Sequence, residues 1–169
     1  FRDRVKLYAT AGNGGPGCVS FRREKCIPKG GPDGGDGGHA GSVILECDIE
    51  EDSLLPIYYE PHRKSKNAQH GMGSNCHGKN SEDCIVKVAP GTVVIDVETG
   101  DFVGELINHG EQIVVAKGGH GGIGNARFKS STNRAPRQFT EGTEGEQCTL
   151  WLELKLISDV GLAGYPNAG

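Results

Sequence analysis

The residues best suited to chemistry are cations, and the chemistry they suit is phosphate recognition. Arg22, Arg23, Lys25 and Lys29 surround a single acid, Glu24. Residues 61–81 contain no acid and carry Arg63, Lys64, Lys66 and Lys79, with His62, His70 and His77. Residues 112–140 contain no acid either and carry Lys117, Arg127, Lys129, Arg134 and Arg137. Yet the net charge of the 169 residues is −4. The compensating acids, among them Glu46, Asp48, Asp96, Glu98 and Glu153, fall elsewhere. Such segregation points to a polyanionic partner for the basic stretches. The plain alternative is solvated surface. Phe21, Phe128 and Phe139 lie near the cations, with Asn67, Asn75, Asn125 and Asn133 as base or ribose partners. That mixture suits folded RNA read by shape and backbone.

Other motifs carry less. Gly12-x-Gly14-x-x-Gly17 and Gly119-x-Gly121-x-x-Gly124 match the dinucleotide fingerprint, but neither opens onto a helical pattern, so the fingerprint is rejected. No His and acid residues form a catalytic triad, no pair of carboxylates stands out, and no metal site is expected. The six cysteines show no Cys-x-x-Cys spacing. Reduced thiols are favoured over disulfides or zinc. The chain closes on Gly164-Tyr165-Pro166-Asn167-Ala168-Gly169, which fits the first six positions of G-x-x-x-x-G-K-[ST]. The longest apolar run is Ile113 to Ala116, too short for a membrane span or a signal peptide.

The elements that must position these residues read as strands. Val5, Leu7 and Ala9 alternate with polar neighbours, as do Val43, Leu45 and Cys47, then Cys84, Val86 and Val88. Val93, Ile95 and Val97 lead into a turn at Glu98-Thr99-Gly100-Asp101, then Phe102 to Leu106. Gln112 to Lys117 and Cys148 to Leu156 complete the set. No long amphipathic helix is evident. The expectation is a mainly β fold, an antiparallel-rich sandwich or barrel. Three excursions leave it at about 12–41, 49–81 and 118–146. Glycine provides 28 of the residues, well above the usual share of roughly 7%. In two excursions it recurs every three: Gly31, Gly34 and Gly37; Gly35, Gly38 and Gly41; Gly118, Gly121 and Gly124. Three residues per turn is the polyproline II period, so the arms can pack backbone to backbone. Flexible glycine linkers are the alternative. If each arm runs out and back, its basic middle becomes its tip.

The motifs together resemble the Obg-type GTPases over essentially the whole chain. The hallmarks are Gly12 to Gly17, Ser20 to Lys25, Pro28 to Gly38, Pro90 to Val94, Lys117 to Gly122 and Glu153 to Leu162. The resemblance implies the Obg fold, a β-barrel-like dome with a glycine-rich knob of polyproline II helices. It implies an Obg domain over 1–158, then at 159–169 the first strand and partial P-loop of a GTPase domain, with Gly164, Tyr165, Pro166, Asn167, Ala168 and Gly169 binding nucleotide. It further implies assembly of the large ribosomal subunit, the knob entering the peptidyl-transferase region as a transfer-RNA acceptor arm does. The RNA-facing residues it implies are Arg22, Arg23, Lys25, Lys29, Lys64, Lys66, Asn75, Lys79, Asn125, Arg127, Arg134 and Arg137. GTP and Mg²⁺ are expected for a full-length protein, with no cofactor and no catalytic residue in this stretch. A monomer is expected, in bacterial cytoplasm or alternatively in mitochondrial matrix or plastid stroma. The competing reading is a protein-interaction module docking on a stress-signalling partner.

Overall fold

A computed structural model describes residues 4–23 and 30–155. Lys25, Lys29, Leu156, the 159–169 segment and the half motif at 164–169 lie outside the described residues. Among the described residues, eight strands run in chain order with one short α-helix: β1 Arg4–Thr10, β2 Val43–Cys47, α1 Leu55–Tyr59, β3 His62–Lys64, β4 Cys84–Val88, β5 Thr92–Asp96, β6 Phe102–Leu106, β7 Gln112–Ala116 and β8 Gln147–Leu154. They form two sheets, ordered β3-β1-β8-β5-β6 and β4-β2-β7. Pairing is antiparallel except for β1 with β3 and β2 with β4, which are parallel. The fold is thus mainly β, as expected, with mixed sheets.

Alternation decides which side chains go inside. Val5, Leu7, Ala9, Leu150, Leu152 and Leu154 from one sheet meet Val43, Leu45, Cys47, Val86, Val88 and Ala116 from the other. A period of two places each set on one face of its strand. The phase of β5 differs from the expected reading. Thr92 and Val94 are its fully buried residues, and Val94 sits opposite Leu152 of β8. Val93, Val94 and Ile95 are consecutive apolar residues, and such a run carries no phase of its own.

The excursion expected at 49–81 is corrected. Residues 49–64 belong to the dome: Leu54 and Ile57 are buried in the core, α1 starts with Pro56 in its first turn, and β3 pairs with β1. The helix has five residues, below the length at which a helical period shows. The second arm is therefore 65–83, beside arms at 11–42 and 117–146.

The six limbs of these arms leave the dome together. Thr10 is opposite both Lys64 and Gln147, and Val43 is opposite both Cys84 and Ala116. From there the described residues of the limbs run without further strands and bond to one another. Gly15 N–H donates to Gly38 O at 3.0 Å, Gly37 N–H to Gly122 O at 2.9 Å, and Gly122 N–H to Gly15 O at 2.7 Å. A Cβ on Gly14, Gly37 or Gly121 would fall inside the backbone carbonyl of His120, Gly15 or Gly37 respectively. The arms are an ordered bundle rather than linkers, and glycine is present because the backbones touch.

A second period of three became visible only in the structure. The side chains of Asp36, His39 and Ser42 accept N–H bonds from Gly124, Gly121 and Gly118, each at 2.9 Å. The backbone N–H groups of the same three residues donate to His77 Nδ1, Asn80 Oδ1 and Asp83 Oδ1 at 2.8–3.0 Å. On the third arm, Thr140, Thr143 and Glu146 accept from Ile123, His120 and Lys117 at 2.6–2.8 Å. Donors that no neighbouring carbonyl accepts thus find side-chain acceptors.

Candidate nucleic-acid interface

At the outer end of the first arm, the two limbs pair through a Phe21–Pro32 bridge. Arg22 N–H donates to Gly31 O at 2.8 Å and Asp33 N–H to Ser20 O at 2.9 Å. Arg22 and Arg23 are both exposed there. The third arm arrives at the same place. Lys129 Nζ lies over Gly31, and the Arg137 guanidinium sits 5.4 Å from the centre of the Phe21 ring. Arg134 is exposed on the same arm. Cations of two arms therefore share one end of the bundle.

Asn125 is corrected from RNA contact to internal support. It is fully buried at the start of a 3-10 turn over Asn125–Phe128. Its Oδ1 accepts from Gly34 N–H at 2.9 Å and Ser20 N–H at 3.3 Å, and its Nδ2 donates to Ser20 O and Pro136 O at 3.0 Å. One amide thus ties both limbs of the first arm to both limbs of the third, and no polar atom is left for a ligand. Its neighbour Arg127 donates from Nε to Asp36 Oδ2 at 2.8 Å, with the side chain still 66% exposed.

The second arm presents differently from its sequence reading. Its tip is a turn at Gly73–Cys76, with Ser74 and Asn75 both in the left-handed region at φ 60° and 56°. Asp33 holds that turn: Oδ2 accepts Ser74 N–H at 3.0 Å and the carbonyl accepts Asn75 N–H at 2.7 Å. Asn75 is exposed at this tip, whereas Lys64, Lys66 and Lys79 lie outside the Gly73–Cys76 turn. They line an open groove of about 610 Å³ between the two limbs, shared with Glu82 and Asp83. Two tips, those of the first and third arms, are basic, and the cations of the second arm run along its flank. The error came from taking 49–64 as arm, which shifted the middle of the excursion.

The dome has the opposite electrostatics. Lys87 Nζ sits 3.2 Å from Glu46 and 3.4 Å from Asp48. Hydrogen bonds from Gln112 and Lys87 lower the pKa of Glu46, and the Glu50 N–H does the same for Asp48, while the two carboxylates raise that of Lys87. These acids are already paired. Two thiols are held protonated: burial raises Cys47, and raises Cys148 to about 11 with help from Asp96, Glu146 and Glu98. Among the described residues no group of three or more His, Cys, Asp or Glu is placed to hold a metal ion, and no helix is long and apolar enough to cross a membrane.

The GTP1/OBG family model matches residues 2–156. The chain is 56% identical over 169 residues to the GTPase Obg of Syntrophotalea carbinolica, 53% to that of Persephonella marina and 51% to that of Myxococcus xanthus. In each case all of this chain is covered, against 48%, 50% and 35% of the relative. The chain spans half or less of the length of these relatives. With the mainly β dome, the glycine-packed arms and this match over nearly the whole length, the chain belongs to the GTP1/OBG family.

Proposed function

We propose that this chain is the ribosomal-RNA-binding domain of an Obg-type GTPase acting in large-subunit assembly, its arms entering the subunit tip first near the peptidyl-transferase region. The observation that supports this most is the shared basic end of the first and third arms, with Arg22, Arg23, Lys129, Arg134 and Arg137 on limbs locked by Asn125. A pre-organised bundle loses little entropy on docking. The limbs are read as polyproline II helices: packing glycines and side-chain acceptors both repeat every three residues, and Gly124 has φ −77° and ψ 163°. GTP and Mg²⁺ are assigned to a full-length protein, because the Lys and hydroxyl that grip them come after the six positions matched by 164–169. Calorimetry should find no tight GTP binding by these 169 residues, and micromolar affinity contradicts that assignment.

The test of the interface is co-sedimentation with large ribosomal subunits across a salt series. Replacing Arg22, Arg23 and Lys25 with Glu should weaken binding, as should replacing Arg127, Arg134 and Arg137. Each lost phosphate contact should reduce the salt slope by about 0.7–0.9. Equal binding by the wild type and both triple variants sinks the reading. Binding that is tight but insensitive to salt favours the protein-docking alternative.

A further inference from the structure

A second open groove, of about 500 Å³, lies where the three arms meet and is lined by Asp36, His39, His77, Asn80 and Arg127. The bonds between the arms engage its side-chain acceptors. His39 Nδ1 accepts Gly121 N–H at 2.9 Å, and His77 Nδ1 accepts Asp36 N–H at 3.0 Å. Asn80 Oδ1 accepts His39 N–H at 2.8 Å. Both oxygens of Asp36 are engaged, Oδ1 by Gly124 N–H at 2.9 Å and Oδ2 by Arg127 Nε–H at 2.8 Å.

What remains is a set of donors. A neutral imidazole whose Nδ1 accepts must carry its proton on Nε2. His39 and His77 are fixed in that tautomer by the backbone. Asn80, with its oxygen occupied, offers its NH₂, and Arg127 keeps its terminal nitrogens. Among the described residues the one carboxylate of the lining, Asp36, is already paired with Arg127. We propose that this groove binds a phosphate-type oxyanion, either free inorganic phosphate or a phosphodiester of an RNA backbone. The site shares Arg127 with the proposed ribosomal interface, but its other donors, His39, His77 and Asn80, are not part of that interface, so it is tested through them and stands apart from the ribosomal reading.

The experiment is histidine-selective ¹⁵N NMR on the full chain in chloride buffer, titrated with inorganic phosphate and separately with an RNA pentanucleotide. Saturable movement of the His39 and His77 Nε2 resonances with phosphate alone identifies a small-ion site. Movement with both, and displacement of one by the other, identifies a backbone-phosphate site. Asn80→Asp keeps the oxygen that accepts His39 N–H but replaces the donor by a negative charge, so affinity should fall at least tenfold. Unchanged arm amide resonances in that variant, Gly121 included, show that the bundle is intact. The proposal is overturned if neither ligand moves the two resonances, or if an intact Asn80→Asp variant binds as the wild type does.

Discussion

Gly91, Gly100 and Gly110 in the dome have φ of 91°, 75° and 89°, and around Gly100 and Gly110 a Cβ would meet nothing within 4 Å. Gly37 and Gly121 in the arms have no positive φ, yet a Cβ on either would enter a neighbouring carbonyl. The same residue type therefore answers two demands. In the dome it supplies a left-handed turn, which Asn can also supply. In the arms it supplies the absence of a side chain, which no other residue can. Cohesion differs in the same way. The dome buries Leu and Val between two sheets, worth roughly 1.5–3 kcal/mol for each fully buried side chain. The arms have few such side chains and depend on many hydrogen bonds, each worth about 0.5–1.5 kcal/mol net.

The largest effect should come from forcing arms apart. In Gly35→Val with Gly38→Val, the new side chains meet the carbonyls of Cys76 and Lys79 on the second arm. Overpacking should cost about 1–3 kcal/mol per site. Amide exchange should show lost protection over the first two arms while β8 stays protected. Concerted loss in β8 as well argues that dome and arms fold as one unit. Asn125→Ala comes next, because it leaves Gly34 N–H and Pro136 O without their bonds. A buried group stripped of its partner costs about 1–3 kcal/mol, measurable by denaturant unfolding, and an unchanged midpoint removes Asn125 as the tie between arms.

A smaller effect separates the dome by pH. Burial holds the Cys148 thiol up at about 11, above the ordinary range of a thiol. Its contribution to stability is present in full below the unfolded pKa, and is lost as pH rises towards 11. Thermal unfolding should shift down across pH 9–11, less so in Cys148→Ala; equal slopes contradict the burial argument. The ion-paired Glu46 and Asp48 have lowered pKa values, as has Glu111, whose carboxylate accepts the Asn108 and Ile107 N–H groups. Their contribution is present above the ordinary carboxylate range and is lost as pH falls through the folded values. The smallest effect belongs to Gly100→Asn, where the turn tolerates Asn and space is open. A change within about 0.5 kcal/mol is expected, and a large destabilisation would erase the distinction between the two kinds of glycine.

The dome was legible wherever alternation was clean, as in β1, β2 and β8, because a half-buried strand writes its faces into sequence. It was illegible in β5, where consecutive apolar residues set no phase, and in 49–64, where a five-residue helix and a three-residue strand are too short to show a period. The glycine period announced close packing but not which limbs touch, since that depends on pairings such as Gly37 with Gly15 and Gly121 with Gly37. Asp36, His39 and Ser42 also repeat every three residues, but their partners lie more than 75 positions away. Asn125 could not be told from a ligand-facing asparagine, because an amide beside Arg127 looks the same whether buried or exposed.

The account stands on the arms being an ordered bundle made possible by glycine, and hydrogen exchange of the wild-type chain tests that most directly. Residues 30–41 and 118–124 contain almost no regular secondary structure, so by ordinary expectation for loops their amides exchange freely. The inter-arm bonds predict the reverse: protection at Gly35, Gly37, Gly38, Gly119 and Gly122, whose N–H groups reach the carbonyls of Met72, Gly122, Gln69, Gly12 and Gly15. Exchange of those amides at unfolded rates, with β8 protected, would contradict the bundle and remove the support for its basic end.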